Sequence, residues 1–173
     1  MAEIGHRPAR LSAPVPLGAA HDVSRFDCGN PALNDWLRNS AAESEGRTAR
    51  TYVVCENDHA VVGYYCISTG SVERRALPPK MKRAQGLPHQ VPVVIIGRLA
   101  RDKAFAGKSL GKDLLQDALR RILAASRIIG VRAVLVHAVD EAAARFWTDC
   151  DFIECPIGSR TFYLPVETIA DAV

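Results

Sequence analysis

The sequence predicts a mixed α/β domain spanning 1–173, with about seven strands and about four helices. Three observations carry that expectation. β-rich apolar runs of strand length recur at 51–55, 61–68, 93–96 and 133–139. From Leu110 the period changes: Leu114, Leu115, Ala118, Leu119, Ile122 and Leu123 follow at helical steps, opposite Lys112, Asp113, Gln116, Asp117, Arg120 and Arg121. The two kinds of run are interleaved, and no repeat, low-complexity stretch or linker divides them.

Taken in order, residues 1–12 are polar and interrupted by Pro8, and are expected to be loose at the start. A short strand is expected at 15–17. Asn30 suits an N-cap and Pro31 the first helical position. Leu33, Trp36, Leu37 and Ala41 then mark one apolar stripe, predicting a helix to about Ser44 that Gly46 ends. Strands at 51–55 and 61–68 flank Asn57, Asp58 and His59, a hairpin signal. Four prolines make 77–92 a loop or broken short helix, not a strand. After the 93–96 strand, the loop at 104–111 and the long helix, a turn about Gly130 leads to a buried strand at 133–139. Asp140 caps a helix on which Ala143, Phe146, Trp147 and Cys150 share a face. Strands at 152–155 and 161–164, joined through Pro156 and Gly158, close the sheet, and a short amphipathic tail follows Pro165.

Composition narrows the function classes. No apolar run approaches the ~20 residues that span a bilayer, and the charged start has no apolar signal core. The five cysteines are odd in number and never spaced Cys-x-x-Cys, which argues against a disulfide framework and a zinc site and for a reducing cytoplasm. Net charge is only +3, but Arg74, Arg75, Lys80, Lys82 and Arg83 form a cationic run without an acid among them. That run is either a solvated loop or a surface for nucleic-acid phosphates. His89 and His137 stand alone; His137, inside an apolar strand, reads as a satisfied core residue. Arg50 reads as an edge charge.

The chemistry centres on the small-residue loop that opens the long helix. Unpaired N–H groups and the positive end of the helix dipole meet there, which suits a phosphate. The loop lacks the Lys-Ser/Thr ending of a P-loop and the glycine spacing of a dinucleotide fold, so an ordinary strand-loop-helix connection is the alternative. The segment Ala106, Gly107, Lys108, Ser109, Leu110, Gly111 resembles the acetyl-CoA loop of the GCN5-related N-acetyltransferase (GNAT) family, Gln/Arg-x-x-Gly-x-Gly/Ala. Ala106 and Ser109 depart from that pattern without removing a backbone donor. The order of elements also resembles this family, and implies its mixed, mostly antiparallel central sheet.

What the resemblance implies is direct acyl transfer from acetyl-CoA to an amine. Pantetheine lies along the strand at Leu99, Ala100 and Arg101, and a backbone N–H at Leu99 serves the carbonyl oxygen as it gains charge. The pyrophosphate rests on Ala106, Gly107, Lys108, Ser109, Leu110, Gly111 and Lys112. Phe146 lines the cofactor, and Trp147 stands where the family's Phe-Tyr-x-x-x-Gly-Phe motif places an acid Tyr. Asp151 replaces that motif's Gly. An indole is no practical proton donor, so a slower enzyme is expected unless Tyr163, Tyr64, Tyr65, Cys150 or water substitutes. Trp147 itself reads as core packing, with a wall of the acetyl pocket as the alternative, and Asp151 as the start of a strand.

A narrower resemblance covers most of 26–152. FDCGNPALNDWL (26–37), RTYVV (50–54), VGYY (62–65), LPHQVPVVIIGRLARD (87–102) and ARFWTDCDF (144–152) are similar to the acetyltransferase toxins of bacterial toxin–antitoxin modules. This similarity implies a cytoplasmic protein acting on aminoacyl-tRNA, with a ribbon-helix-helix antitoxin through which alone it meets operator DNA, and a homodimer. The basic run and Arg98 then become RNA contacts, Arg98 having a structural ion pair as its other reading. Two further readings remain open: an acetyltransferase for a small amine or protein N-terminus, and a catalytically silent scaffold that binds CoA.

Overall fold

The computed structural model describes residues 9–156, 158 and 160–172; the polar opening stretch lies outside them up to residue 8. In chain order the elements are β1 (Val15–Pro16), α1 (Pro31–Asn39), α2 (Ala41–Ser44), β2 (Arg50–Glu56), β3 (Ala60–Glu73), α3 (Pro79–Lys82), β4 (Gln90–Arg101), α4 (Leu110–Ser126), β5 (Ala133–His137), α5 (Glu141–Asp149), β6 (Ile153–Glu154), β7 (Thr161–Pro165) and α6 (Val166–Ala172). Single 3-10 turns occupy Arg74–Ala76 and Lys103–Phe105. The sheet has seven strands in the order β1-β2-β3-β4-β5-β7-β6. It is mixed and mostly antiparallel: β4 and β5 run parallel, whereas β1 with β2, β5 with β7, and β6 with β7 run antiparallel. The parallel register pairs Val93 with Ala133, Val94 with Val134 and Ile95 with Leu135, and β4 continues beyond it to Arg101.

Two compact units divide the chain. The first takes residues up to Tyr65 together with Leu99–Leu114, and the second Cys66–Arg98 together with Leu115–Val173. In the first, Phe26, Leu37, Ala41, Val53, Cys55, Val61, Tyr64 and Ala100 form a buried cluster. Phe26 and Trp36 pack edge-on and stacked on Tyr64, with ring centres 5.4 and 5.9 Å away. The Tyr64 hydroxyl donates to the Leu33 carbonyl (2.8 Å), which ties α1 to β3. In the second, Leu77, Met81, Val91, Val93, Ala133, Leu135, Cys155 and Tyr163 close a separate core.

Several local expectations are corrected. The helix over 31–44 is two helices, because Ser40 (φ −123°) leaves helical geometry and α2 is a single turn of 4 residues. With α3 and α6, also short, the helices number six among the described residues. The proline-rich stretch ends before Gln90, so Pro92 sits inside β4. A strand tolerates a proline that has only to accept, and the Pro92 carbonyl takes the Arg132 N–H (2.9 Å). His137 is exposed rather than a core residue; its Nδ1 is 3.0 Å from Thr161 Oγ1. Arg50 is an edge charge at the start of β2, 3.4 Å from Glu45.

Candidate active site

The loop that opens α4 is built entirely in the first unit, and Asp102 sets its path. Leaving β4, the Asp102 N–H donates to the Val62 carbonyl (2.7 Å). One carboxylate oxygen then takes the Ala104 N–H (2.9 Å) and caps the 3-10 turn, while the other takes the Asp27 N–H (3.0 Å). Beyond the turn, Ala106, Gly107, Lys108 and Ser109 are all exposed. Gly107 and Ser109 have φ of +75° and +56°. The Ser109 carbonyl accepts the Asp113 N–H (3.0 Å) and starts the 17-residue helix.

Leu110 is buried, and its side chain, like that of Leu114, lies over Gly63. A Cβ there would come within 3.3 Å of Leu110 and 3.1 Å of Leu114. The missing side chain at 63 therefore lets the first turn of α4 sit close on β3. The result is an exposed helix N-terminus with small residues at 106 and 107, and Lys103, Lys108 and Lys112 exposed around it. Lys108 Nζ lies 5.1 Å from the centre of the Phe105 ring. Backbone donors, a helix dipole and cations at one place fit a pyrophosphate. Ser109 occupies the position at which the acetyl-CoA loop pattern has Gly, and its positive φ shows why Gly is favoured there. Leu99 and Arg101 are half-buried at the end of β4, and Ala100 belongs to the core.

A network unnoticed in the sequence supports this loop. Lys103 Nζ is 2.8 Å from the Asp27 carboxylate, which also accepts from the Gly29 N–H (2.9 Å) and Asn34 Nδ2 (3.0 Å). The Lys103 hydrogen bond first, then those from Gly29 and Asn34, hold the Asp27 carboxyl well below the usual carboxylate range. In return the Asp27 carboxylate raises the Lys103 ammonium above its ordinary value. Asp27 and Asn34 fall in the 26–37 segment; the signal there was two polar residues in an apolar helix-entry run, and Asn34 is indeed buried.

The second unit holds Phe146 and Trp147 on α5, which Asp140 caps by accepting the Ala143 N–H (2.8 Å). Trp147 is only 5% exposed. Its ring centre lies 5.0 Å from Phe146 and 5.1 Å from Phe152, an aromatic cluster of the kind that packs a core. Asp151 begins no strand. It has φ +67°, ends α5 in the left-handed conformation, and lets the Phe152 N–H reach back to the Trp147 carbonyl (3.1 Å). β6 starts two positions later, at Ile153.

Two tyrosines named as substitute acids are poorly suited to it. Burial, reinforced by Cys155, pushes the Tyr163 hydroxyl up to about 12, and Tyr163 is 2% exposed. Tyr64 is buried with its proton committed to Leu33.

Of the basic run, Arg74 is bound at home: its N–H donates to the His89 carbonyl (2.9 Å) and its guanidinium to the Leu87 carbonyl (3.2 Å). Arg75 pairs with Glu73. Lys80, Lys82 and Arg83 are exposed on and after α3. Arg98 is half-buried and hydrogen-bonds the side chain of Cys66.

Comparison with known proteins follows the same geometry. The sequence model of the Acetyltransferase (GNAT) family matches residues 19–152. A "tRNA-acetylating toxin" of Mycobacterium tuberculosis (strain ATCC 25618 / H37Rv) is 39% identical over 142 residues, 82% of this chain and 84% of the relative. The solved structure of AtaT complexed with acetyl-methionyl-tRNAfMet superposes with a TM-score of 0.85 at 30% identity, covering 93% of this chain and 98% of that one. A tyrosine-to-phenylalanine mutant of AtaT, bound to the C-terminus of the antitoxin AtaR and acetyl-CoA, gives 0.78 at 29% identity over 92% and 95% of the two chains.

Proposed function

Because the chain belongs to the acetyltransferase (GNAT) family, we propose that it transfers acetyl from acetyl-CoA to the amino group of an aminoacyl-tRNA, as a toxin restrained by an antitoxin. The observation that carries the substrate is the 39% identity to a tRNA-acetylating toxin over 82% of the chain. The exposed loop at 106–109, opening α4, supports acetyl-CoA as the donor. AtaT, whose solved structures hold acetyl-methionyl-tRNA in one case and the AtaR C-terminus with acetyl-CoA in another, supports both the substrate and the antitoxin.

Acetyl-CoA supplies a thioester. The neutral amine would form a bond to its carbonyl carbon as the carbon–sulfur bond breaks, and the proton the nitrogen loses would pass to water or to the departing CoA thiolate. The chain's part is to hold and orient. Ala106, Gly107, Lys108, Ser109, Leu110, Gly111 and Lys112 receive the pyrophosphate on their backbone, with Leu110 contributing only main chain because its side chain is buried. Leu99, Ala100 and Arg101 run beside pantetheine, and the Leu99 N–H serves the carbonyl oxygen. Phe146 and Trp147 wall the acetyl end. A thiolate of ordinary pKa ~8.5 leaves without full protonation, so Trp147 slows the reaction rather than stopping it.

Arg74, Arg75, Lys80, Lys82, Arg83 and Arg98 are the RNA-facing cations of this reading; all but the half-buried Arg98 are exposed, and Arg74 and Arg75 are engaged with Leu87 and Glu73. The antitoxin is of the ribbon-helix-helix type and supplies the contact with operator DNA; the toxin is a homodimer whose chain works as a single domain in the cytoplasm. Among the described residues no helix is long and apolar enough to cross a membrane. Labelled acetyl-CoA mixed with charged tRNAs should label the RNA. Label entering only free amines or peptide N-termini would overturn the proposal.

A further inference from the structure

The Asp27 carboxylate is costly where it stands if the neighbouring loop binds a polyanion. It is a negative charge one salt bridge away from Lys103, the residue at which the loop begins. The exposed Asp27–Lys103 pair is no strong source of stability either: the side chains are 41% and 69% exposed, and such pairs contribute little. Its geometry explains more. The Asp27 main chain is clamped on both sides, its N–H donating to the Asp102 carboxylate (3.0 Å) and its carbonyl accepting the Lys103 N–H (2.9 Å). The Arg38 guanidinium holds the Phe26 carbonyl next door. The side chain then gathers Lys103, Gly29 and Asn34. Asn34 in turn accepts the Cys28 N–H (2.9 Å) and is nine-tenths buried on α1. Thus α1, the 26–29 turn and the head of the loop are one hydrogen-bonded piece.

We propose that Asp27 is a positioning residue for acetyl-CoA binding: its carboxylate, by tying Lys103 to Gly29 and Asn34, fixes the loop in the shape that presents its backbone to the pyrophosphate. This rests on the reading of 106–112 as the pyrophosphate site. It makes a prediction with a sign. Removing an acid beside an anion site should tighten the anion by simple electrostatics, since the repulsion is lost and Lys103 is set free. Removing the clamp should weaken it.

The test is calorimetric titration of CoA into the wild-type protein, Asp27→Ala, Asp27→Asn and Lys103→Met, with thermal melts to confirm folding. The dissociation constant of Asp27→Ala should rise about tenfold, while kcat at saturating acetyl-CoA stays within about twofold, because the loop fixes the donor and not the reacting amine. Unchanged or tighter CoA binding in folded Asp27→Ala overturns the proposal. Should Asp27→Ala not fold, Asp27→Asn decides: weaker CoA binding supports positioning, because loss of the acid's charge alone would tighten the anion, and equal or tighter binding overturns it. Unchanged affinity in Lys103→Met overturns it as well. Failure of the wild-type protein to bind CoA strikes the acetyl-CoA reading instead.

Discussion

In the proposed mechanism, Trp147 is the residue expected to limit the rate. The family motif asks for Tyr at this place, and the indole is packed between Phe146 and Phe152. Trp147→Tyr leaves a void in that cluster, at a cost of ~1–3 kcal/mol. On the proposed mechanism it also restores a group to protonate the leaving thiolate, worth up to ~10²-fold or more in turnover. Tyr163 does not compete for the role, since its hydroxyl is buried and pushed up to about 12. Steady-state acetylation should therefore be faster for Trp147→Tyr than for Trp147→Phe, which should match the wild type; equal rates for the two variants would remove position 147 from the proton path. Asp151 gives a second residue-scale prediction. At φ +67° it holds a conformation that costs an L-residue, so Asp151→Gly should raise stability in chemical denaturation by ~0.5–1 kcal/mol. A loss of stability would mean that the carboxylate has a partner worth more than the strain. Both departures from the family's glycines, Ser109 and Asp151, were legible in the sequence as substitutions. Their reason was not, because the sign of φ is set by how the next turn closes, which no side-chain pattern records. Asp27 was hidden for a similar cause: its importance lies in contacts to Lys103, far along the chain.

Among the elements, α4 was read correctly from period alone, since Leu110, Leu114, Leu115 and Ala118 fall on the buried face found in the structure. What period could not supply was Gly63, whose bare backbone lets α4 approach β3; that is a fact about a neighbour, not about the helix. The strand boundaries were too short in β3 and β4 for the same kind of reason: both continue as far as Glu73 and Arg101, where polar residues take over but pairing does not end at the last apolar one. The 74–83 segment shows what charge counting misses. It contains a 3-10 turn and α3, with Arg74 anchored on Leu87 and His89, so its five cations are not equivalent. Reversing the exposed Lys80, Lys82 and Arg83 to Glu should weaken tRNA binding and flatten its salt dependence by roughly 0.7–0.9 log units per lost phosphate contact, leaving CoA affinity untouched. Equal tRNA affinity and an unchanged slope, measured by filter binding across a salt series, would make α3 a plain solvated helix.

At the scale of the molecule, fold and cofactor were legible because they rest on many residues at once: the order of strands and helices, the small-residue loop, and the family match over 19–152. Substrate choice rests on few residues and was reached through resemblance rather than period or charge. The central claim is that the amine acetylated is that of an amino acid already esterified to tRNA. Its most direct measurement is mass spectrometry of the 3′-terminal nucleoside released by nuclease from tRNA pools that are charged, uncharged or pre-acetylated, after incubation with the purified protein and acetyl-CoA. The account predicts N-acetyl-aminoacyl-adenosine from charged tRNA alone, and none when the amine is already blocked. Acetylated free amino acids or peptides with an unmodified charged pool would contradict it.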